Sequence, residues 1–198
     1  MKVSKIIGLA LAGAVILAGS ALYASVANKA PDFTLTNYDG KEVKLADYKG
    51  KIVVLEWFNY ECPFSRYNYE KTTAINDLVN KYKDKNVVFL AINSTGHQET
   101  AKNKEFAEQF KVSHPILNDV SAIVGKAYGA KTTPHIFIID TKGDIVYNGA
   151  LDNAPLGKVP AGEQYANYAD KALDELTAGK AVSTTETKPY GCSVKYGK

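Results

Sequence analysis

The chain is poor in cysteine, with two in 198 residues, and poorer in methionine and tryptophan, with one of each. Two thiols exclude a disulfide-dense scaffold and a four-thiolate metal site. They leave room for one disulfide, or for one reactive thiol and a second that resolves it. An excess of one charge is lacking too: Lys and Arg number 24 against 21 Asp and Glu. Lys2 and Lys5 lie in the N-terminal segment, and without them the signs all but balance, which leaves no footprint for nucleic acid. The histidines, His97, His114 and His135, lack ligand spacing, and neither HExxH nor a paired CxxC element is present, so no metal is expected. GxGxxG and P-loop patterns are absent as well, and no cofactor is expected. Beyond the first thirty residues, no run is long and apolar enough to span a bilayer. What is present is an ordinary hydrophobic fraction, 45%, enough for one domain with a core.

Residues 1–27 read as a signal peptide. Lys2 and Lys5 form a positive start, Ile6 to Leu17 is apolar, and Ser25-Val26-Ala27 offers the small residues that precede cleavage. The competing reading is an uncleaved anchor, since Ile6 to Ala27 nearly spans a bilayer. Membrane contact is expected only in that case. Leu17-Ala18-Gly19-Ser20 resembles a lipoprotein box but carries Ser where lipidation needs Cys. Either way the body is expected outside the cytoplasm, in the periplasm or an equivalent extracytoplasmic space, where disulfides persist.

The body, residues 28–180, alternates strands and helices. Phe33-Thr34-Leu35 and Val43-Lys44-Leu45 flank an Asp39-Gly40 turn and predict a hairpin. Ile52 to Phe58, Val87 to Ile92 and Ile136 to Ile139 are apolar runs that predict buried strands. Ile116-Leu117 predicts a short strand, and Ile145-Val146-Tyr147 an antiparallel neighbour of the third run. From Pro63, apolar residues at Tyr67, Ile75, Leu78, Val79 and Tyr82 predict a helix. Further helices are expected at Thr100 to Phe110, Val120 to Tyr128 and Tyr165 to Ala178. The pattern predicts a three-layer α/β/α sandwich on a mixed sheet. The tail, residues 181–198, lacks periodicity and carries Cys192.

Cys62 follows the first long buried strand and opens a helix. Unpaired N–H groups and the helix dipole favour a thiolate there. The competing reading is an inert, buried cysteine among Trp57, Phe58, Tyr60 and Phe64. Glu56 interrupts the same strand, and a buried carboxylate there has a raised pKa and can move protons near neutrality; its alternative is an acid paired with a lysine at the sheet end. Thr133-Pro134 precedes a buried strand, which suits a cis turn or an ordinary trans proline. Cys192 is an internal partner for Cys62, either as a resolving thiol or as half of a static bridge; an intermolecular disulfide is the third option.

Three segments together resemble the thioredoxin-like superfamily, and more closely the bacterial exported redoxin-domain (AhpC/TSA-like) proteins. They are Val54-Leu55-Glu56-Trp57-Phe58-Asn59 leading to Cys62-Pro63-Phe64, Tyr128-Gly129-Ala130-Lys131-Thr132-Thr133-Pro134-His135, and Lys188-Pro189-Tyr190-Gly191-Cys192. The resemblance implies a thioredoxin fold with Cys62 facing a cis Pro134, and Glu56 at the position of the buried acid. It implies a thiol–disulfide oxidoreductase acting on protein or small-molecule thiols and disulfides, in which the Cys62 thiolate attacks the partner and Cys192 or an external thiol resolves. Catalytic roles fall to Cys62, Cys192, Glu56 and Ser65, and substrate contacts to Thr133, Pro134 and Trp57. The chain departs from the family pattern in carrying Ser65 where the second cysteine of CxxC would stand. It also lacks the PxxxTxxC element of peroxiredoxins. A thiol-dependent peroxidase and a non-enzymatic binding module with a structural disulfide are the alternatives.

Overall fold

The computed structural model describes residues 28–197. The expected signal peptide, residues 1–27, lies outside the described residues, as does its choice between cleavage and anchoring.

β1 (Thr34–Asn37) and β2 (Glu42–Lys44) form the expected hairpin. Asn37 shapes its turn: Oδ1 accepts the Asp39 and Lys41 N–H groups at 3.0 and 2.9 Å, and Gly40 takes φ +76°, a conformation that favours glycine. A 3-10 turn (Leu45–Tyr48) leads into β3 (Ile52–Trp57), whose six residues are all buried. A strand covered on both faces needs no apolar–polar alternation, and this one has none.

The spacing from Pro63 to Tyr82 predicts one helix, but the structure holds two, α1 (Pro63–Glu70) and α2 (Ala74–Tyr82). The inward residues explain the break. α1 buries Ser65, Asn68 and Tyr69, and α2 buries Ile75, Leu78 and Tyr82. At about 100° per residue, one unbroken helix would turn Tyr69 and Ile75 onto different faces. Thr73, at φ 54°, resets the phase.

Next come β4 (Val87–Asn93), α3 (Thr100–Gln109), β5 (Ile116–Asn118), α4 (Ile123–Tyr128), β6 (Thr132–Thr133), β7 (His135–Ile139) and β8 (Ile145–Gly149). α5 (Tyr168–Thr177) and β9 (Cys192–Ser193) close the order. The main sheet has seven strands in the order β2-β1-β5-β4-β3-β7-β8. β3, β4 and β5 run parallel, while β7 and β8 add antiparallel on the far side of β3. One sheet face packs on Tyr69, Ile75, Leu78, Phe106 and Leu173 from four helices. The other packs on Val124 and Tyr128 of α4 and on Phe33 and Val43 of the N-terminal hairpin region. Helices on both sides of a mixed sheet make the expected α/β/α sandwich.

The tail predicts no strand, yet it is laid along the body. Asn148 N–H donates to Thr185 O (3.0 Å) and Thr187 N–H to Asn148 O (3.2 Å). Further on, β9 pairs antiparallel with β6 in a two-stranded ladder. Three body glycines clear its path. A Cβ on Gly149 would stand 2.1 Å from Thr187 Oγ1, one on Gly125 2.6 Å from Tyr196 Cε1, and one on Gly96 2.4 Å from Gly197 Cα. None of the three has a left-handed backbone, so their role is space rather than conformation.

Candidate redox site

Cys62 is the N-cap residue of α1, with Pro63 in the first helical position. Proline fits there because its missing N–H would have had no intrahelical acceptor. The cap thiol faces the free N–H groups of the first turn, an electropositive setting. Cys62 is 2% exposed. Its Sγ–H donates to the Thr133 carbonyl oxygen at 3.0 Å. The Thr133 hydroxyl is buried without a hydrogen-bond partner, which leaves it available to a thiolate at the same place. The Thr133–Pro134 peptide bond is cis.

Cys192 sits directly across the β6–β9 ladder, in register with Thr133. Both thiols are free, Cys62 buried and Cys192 half-buried. They are close enough for each to move the other's titration. Burial by itself pushes the Cys62 thiol up. The nearby Thr133 side chain and Cys192, with the Ser65 and Cys192 backbone, favour the thiolate and outweigh it, and the pKa stands below the ordinary thiol value. Cys192 moves the other way, to about 11, through burial and then through its hydrogen bond to Cys62 and the nearby Cys62 charge. The pair therefore holds one readily lost proton and one tightly held proton.

Ser65 is fully buried and its hydroxyl has no hydrogen-bond partner; what it offers Cys62 is its backbone N–H. Glu56 lies elsewhere, beneath α1. It accepts a short hydrogen bond from Tyr69 Oη, two helical turns beyond Cys62. Burial raises its pKa to about 8 against the opposing effect of that bond, so the carboxyl is largely protonated at neutrality. Among the described residues Glu56 has no lysine partner: its second oxygen is buried and unpaired. Trp57 is fully buried. It lies on the opposite sheet face from Glu56, packed on Tyr128 and Phe137, and its indole donates to Ser94 Oγ at 3.1 Å. Adjacent strand residues point to opposite faces, which is why Glu56 and Trp57 part company.

His135 follows Pro134 but turns into the sheet. Its Nδ1 accepts the Lys131 N–H (3.2 Å) and its Nε2 faces Asn148 Oδ1 (2.6 Å). Burial lowers its pKa to about 4, which makes it a neutral structural group. Two residues that sequence reasoning passed over hold the tail at the site. Tyr190 packs its ring 6.1 Å from Phe64 and donates to Asp152 Oδ1 at 2.6 Å. Gly191, at φ 128°, brings the chain against Thr133, whose carbonyl oxygen would lie 2.2 Å from a Cβ there. The signal for both was their place beside the second cysteine, in Tyr190-Gly191-Cys192.

The AhpC/TSA family model matches residues 26–148, more than half the chain, and the chain belongs to that family. The thiol-disulfide oxidoreductase ResA of Geobacillus kaustophilus is 36% identical over 122 residues, which cover 61% of this chain and 67% of ResA. The crystal structure of an uncharacterized conserved protein from the same organism superposes with a TM-score of 0.77 at 32% identity, over 86% of this chain and 92% of that one. The thioredoxin domain of a thiol-disulfide oxidoreductase from Bacteroides vulgatus superposes with a TM-score of 0.54 at 25% identity, over 63% and 87% of the two chains. The fold is thioredoxin-like, and relatives of this chain carry the name of thiol–disulfide oxidoreductases.

Proposed function

We propose that this chain is an exported thiol–disulfide oxidoreductase whose redox couple is Cys62 and Cys192. The observation that carries the reading is their placement. A cap thiol of lowered pKa lies beside a second thiol that the tail delivers through the β6–β9 ladder. Ser65 cannot close a local disulfide, so the tail supplies what the CxxS element lacks. In the oxidised protein the two sulfurs are bonded. In the reduced protein Cys62 holds the thiolate and Cys192 the proton. Two electrons and one proton separate the states: a partner dithiol that reduces the bond leaves as a disulfide, gives one proton to Cys192 and releases the other to water, and a partner disulfide reverses this.

The other residues take supporting roles in this reading. The Ser65 N–H and the Thr133 hydroxyl stabilise the Cys62 thiolate. Thr133 and Pro134 hold the backbone against which a strand aligns at the thiol, and here that strand is the chain's own β9. Glu56, held protonated below α1, donates and recovers a proton as the couple cycles. Export rests on the leader pattern of residues 1–27, and a disulfide persists in an extracytoplasmic space.

The test is turnover in the reduction of insulin disulfides by dithiothreitol. Cys62→Ser and Cys192→Ser each bring turnover down to the uncatalysed rate. Wild-type turnover in the Cys62→Ser chain would place the chemistry elsewhere.

A further inference from the structure

In the expectation drawn from the family resemblance, Cys62 is the sulfur that bonds the external partner. Three features of the fold stand against it. The first is access: Cys62 is 2% exposed, whereas Cys192 is half-buried and reaches solvent. The second is occupancy. β9 already takes the edge of β6, with Cys192 opposite Thr133 and Gly191 packed so closely that a Cβ would meet the Thr133 carbonyl. A partner strand finds that edge of β6 taken.

The third is anchorage, because the tail is held on both sides of Cys192. Upstream, Thr187 Oγ1 accepts the Ala150 N–H at 2.9 Å and Tyr190 Oη donates to Asp152 at 2.6 Å. Downstream, the Val194 N–H donates to Lys131 O (3.1 Å), the Gly96 N–H to Lys195 O (2.8 Å) and Tyr196 Oη to Ala130 O (2.7 Å). Lifting β9 off β6 would break contacts at both ends together. The glycines at 96, 125 and 149 show that the body is shaped to this seat.

We propose that the external thiol bonds to Cys192 while the tail stays seated, and that Cys62 is the internal thiol of the exchange. The inference rests on the reading of Cys62 and Cys192 as the redox couple. In the oxidised chain an incoming thiolate attacks Cys192 Sγ. A partner–Cys192 bond forms, the Cys62–Cys192 bond breaks, and its electron pair leaves on Cys62 as thiolate. A second partner thiolate then attacks the partner sulfur of the mixed disulfide. The partner departs as a disulfide, and Cys192 leaves as thiolate and takes up the proton the second partner thiol gave up. Two partner thiols are oxidised to one disulfide, and the protein disulfide is reduced to the Cys62 thiolate and the Cys192 thiol. Leaving-group chemistry favours this direction of cleavage, since the thiol of lower pKa leaves faster and Cys62 is that thiol. Lys195 adds a positive charge beside Cys192, which attracts an anionic thiolate.

The experiment uses the oxidised wild-type chain with reduced glutathione as the probe. The reaction is quenched with acid within the first turnover, free thiols are alkylated, and glutathione adducts are mapped by peptide mass spectrometry. The expected result is glutathione on Cys192 and the alkyl group on Cys62, with at least a tenfold preference. Glutathione mainly on Cys62, or divided evenly, overturns the inference and leaves the redox couple intact. A chain that forms no Cys62–Cys192 bond under oxidation overturns the couple itself, and the inference with it.

Discussion

Glu56 and His114 lie on either side of the Tyr69 hydroxyl and titrate in opposite senses. Burial holds Glu56 neutral up to about pH 8, against an ordinary value of 4.5. Its contribution to stability is fully present below 4.5 and is lost as pH rises through 8. Burial lowers His114 from 6.5 to about 4, so its contribution is present above 6.5 and is lost as pH falls through 4. Each group alone imposes a slope of up to about 1.4 kcal/mol per pH unit inside its window. Glu56→Gln keeps the side chain's shape and removes its charge. Denaturant unfolding of that variant between pH 5 and 9 is expected to show a flatter fall in stability on the alkaline side than wild type. Equal slopes would mean that Glu56 is already ionised in the folded chain. Glu56 was legible in the sequence because a lone acid inside an apolar strand is costly. Tyr69, its partner, was not, since one tyrosine among thirteen carries no mark of what it faces.

At the level of elements, the first strand, its cysteine-capped helix and the Thr133-Pro134 strand entry could be read from local pattern. Each has a run or a punctuating residue that speaks for itself. The break at Thr73 could not, because α1 and α2 taken separately both look helical. It is the phase between Tyr69 and Ile75, set by what the sheet accepts, that divides them. β6 and β9 were equally hidden. A two-residue strand has no periodicity, and the ladder exists because glycines elsewhere leave room for the tail. That gives the tail a test independent of its cysteine. Gly149→Val puts atoms where Thr187 lies, with the Thr187 carbonyl oxygen 2.7 Å from the new Cβ. Overpacking of this kind costs about 1–3 kcal/mol, and it falls on the tail's upstream anchor. Hydrogen exchange at the Thr187, Cys192 and Val194 amides is expected to quicken well beyond that of the β3 amides. Unchanged protection at those amides would show that the tail's seat does not depend on this glycine.

Over the whole molecule, a low cysteine count turns into a statement about architecture. One thiol is held by the helix–strand scaffold of a thioredoxin-like fold, and the other arrives from the far end of the chain and is tied down on both sides. The fold class could be read from the alternation of apolar runs, and the cysteine pairing was open, with three alternatives. Proximity now favours the internal pair, because the β6–β9 ladder brings Cys192 opposite Thr133, whose carbonyl takes the Cys62 thiol. Connectivity at this range is set by tertiary structure, and no local spacing encodes it. The most direct test of the account is a redox titration of the full chain in glutathione buffers, with the bonding of each cysteine read by mass spectrometry. The expected result is a single two-electron transition in which Cys62 and Cys192 become bonded to each other within one chain. Two cysteines that stay free across the range, or that pair only with glutathione or with another chain, would contradict it.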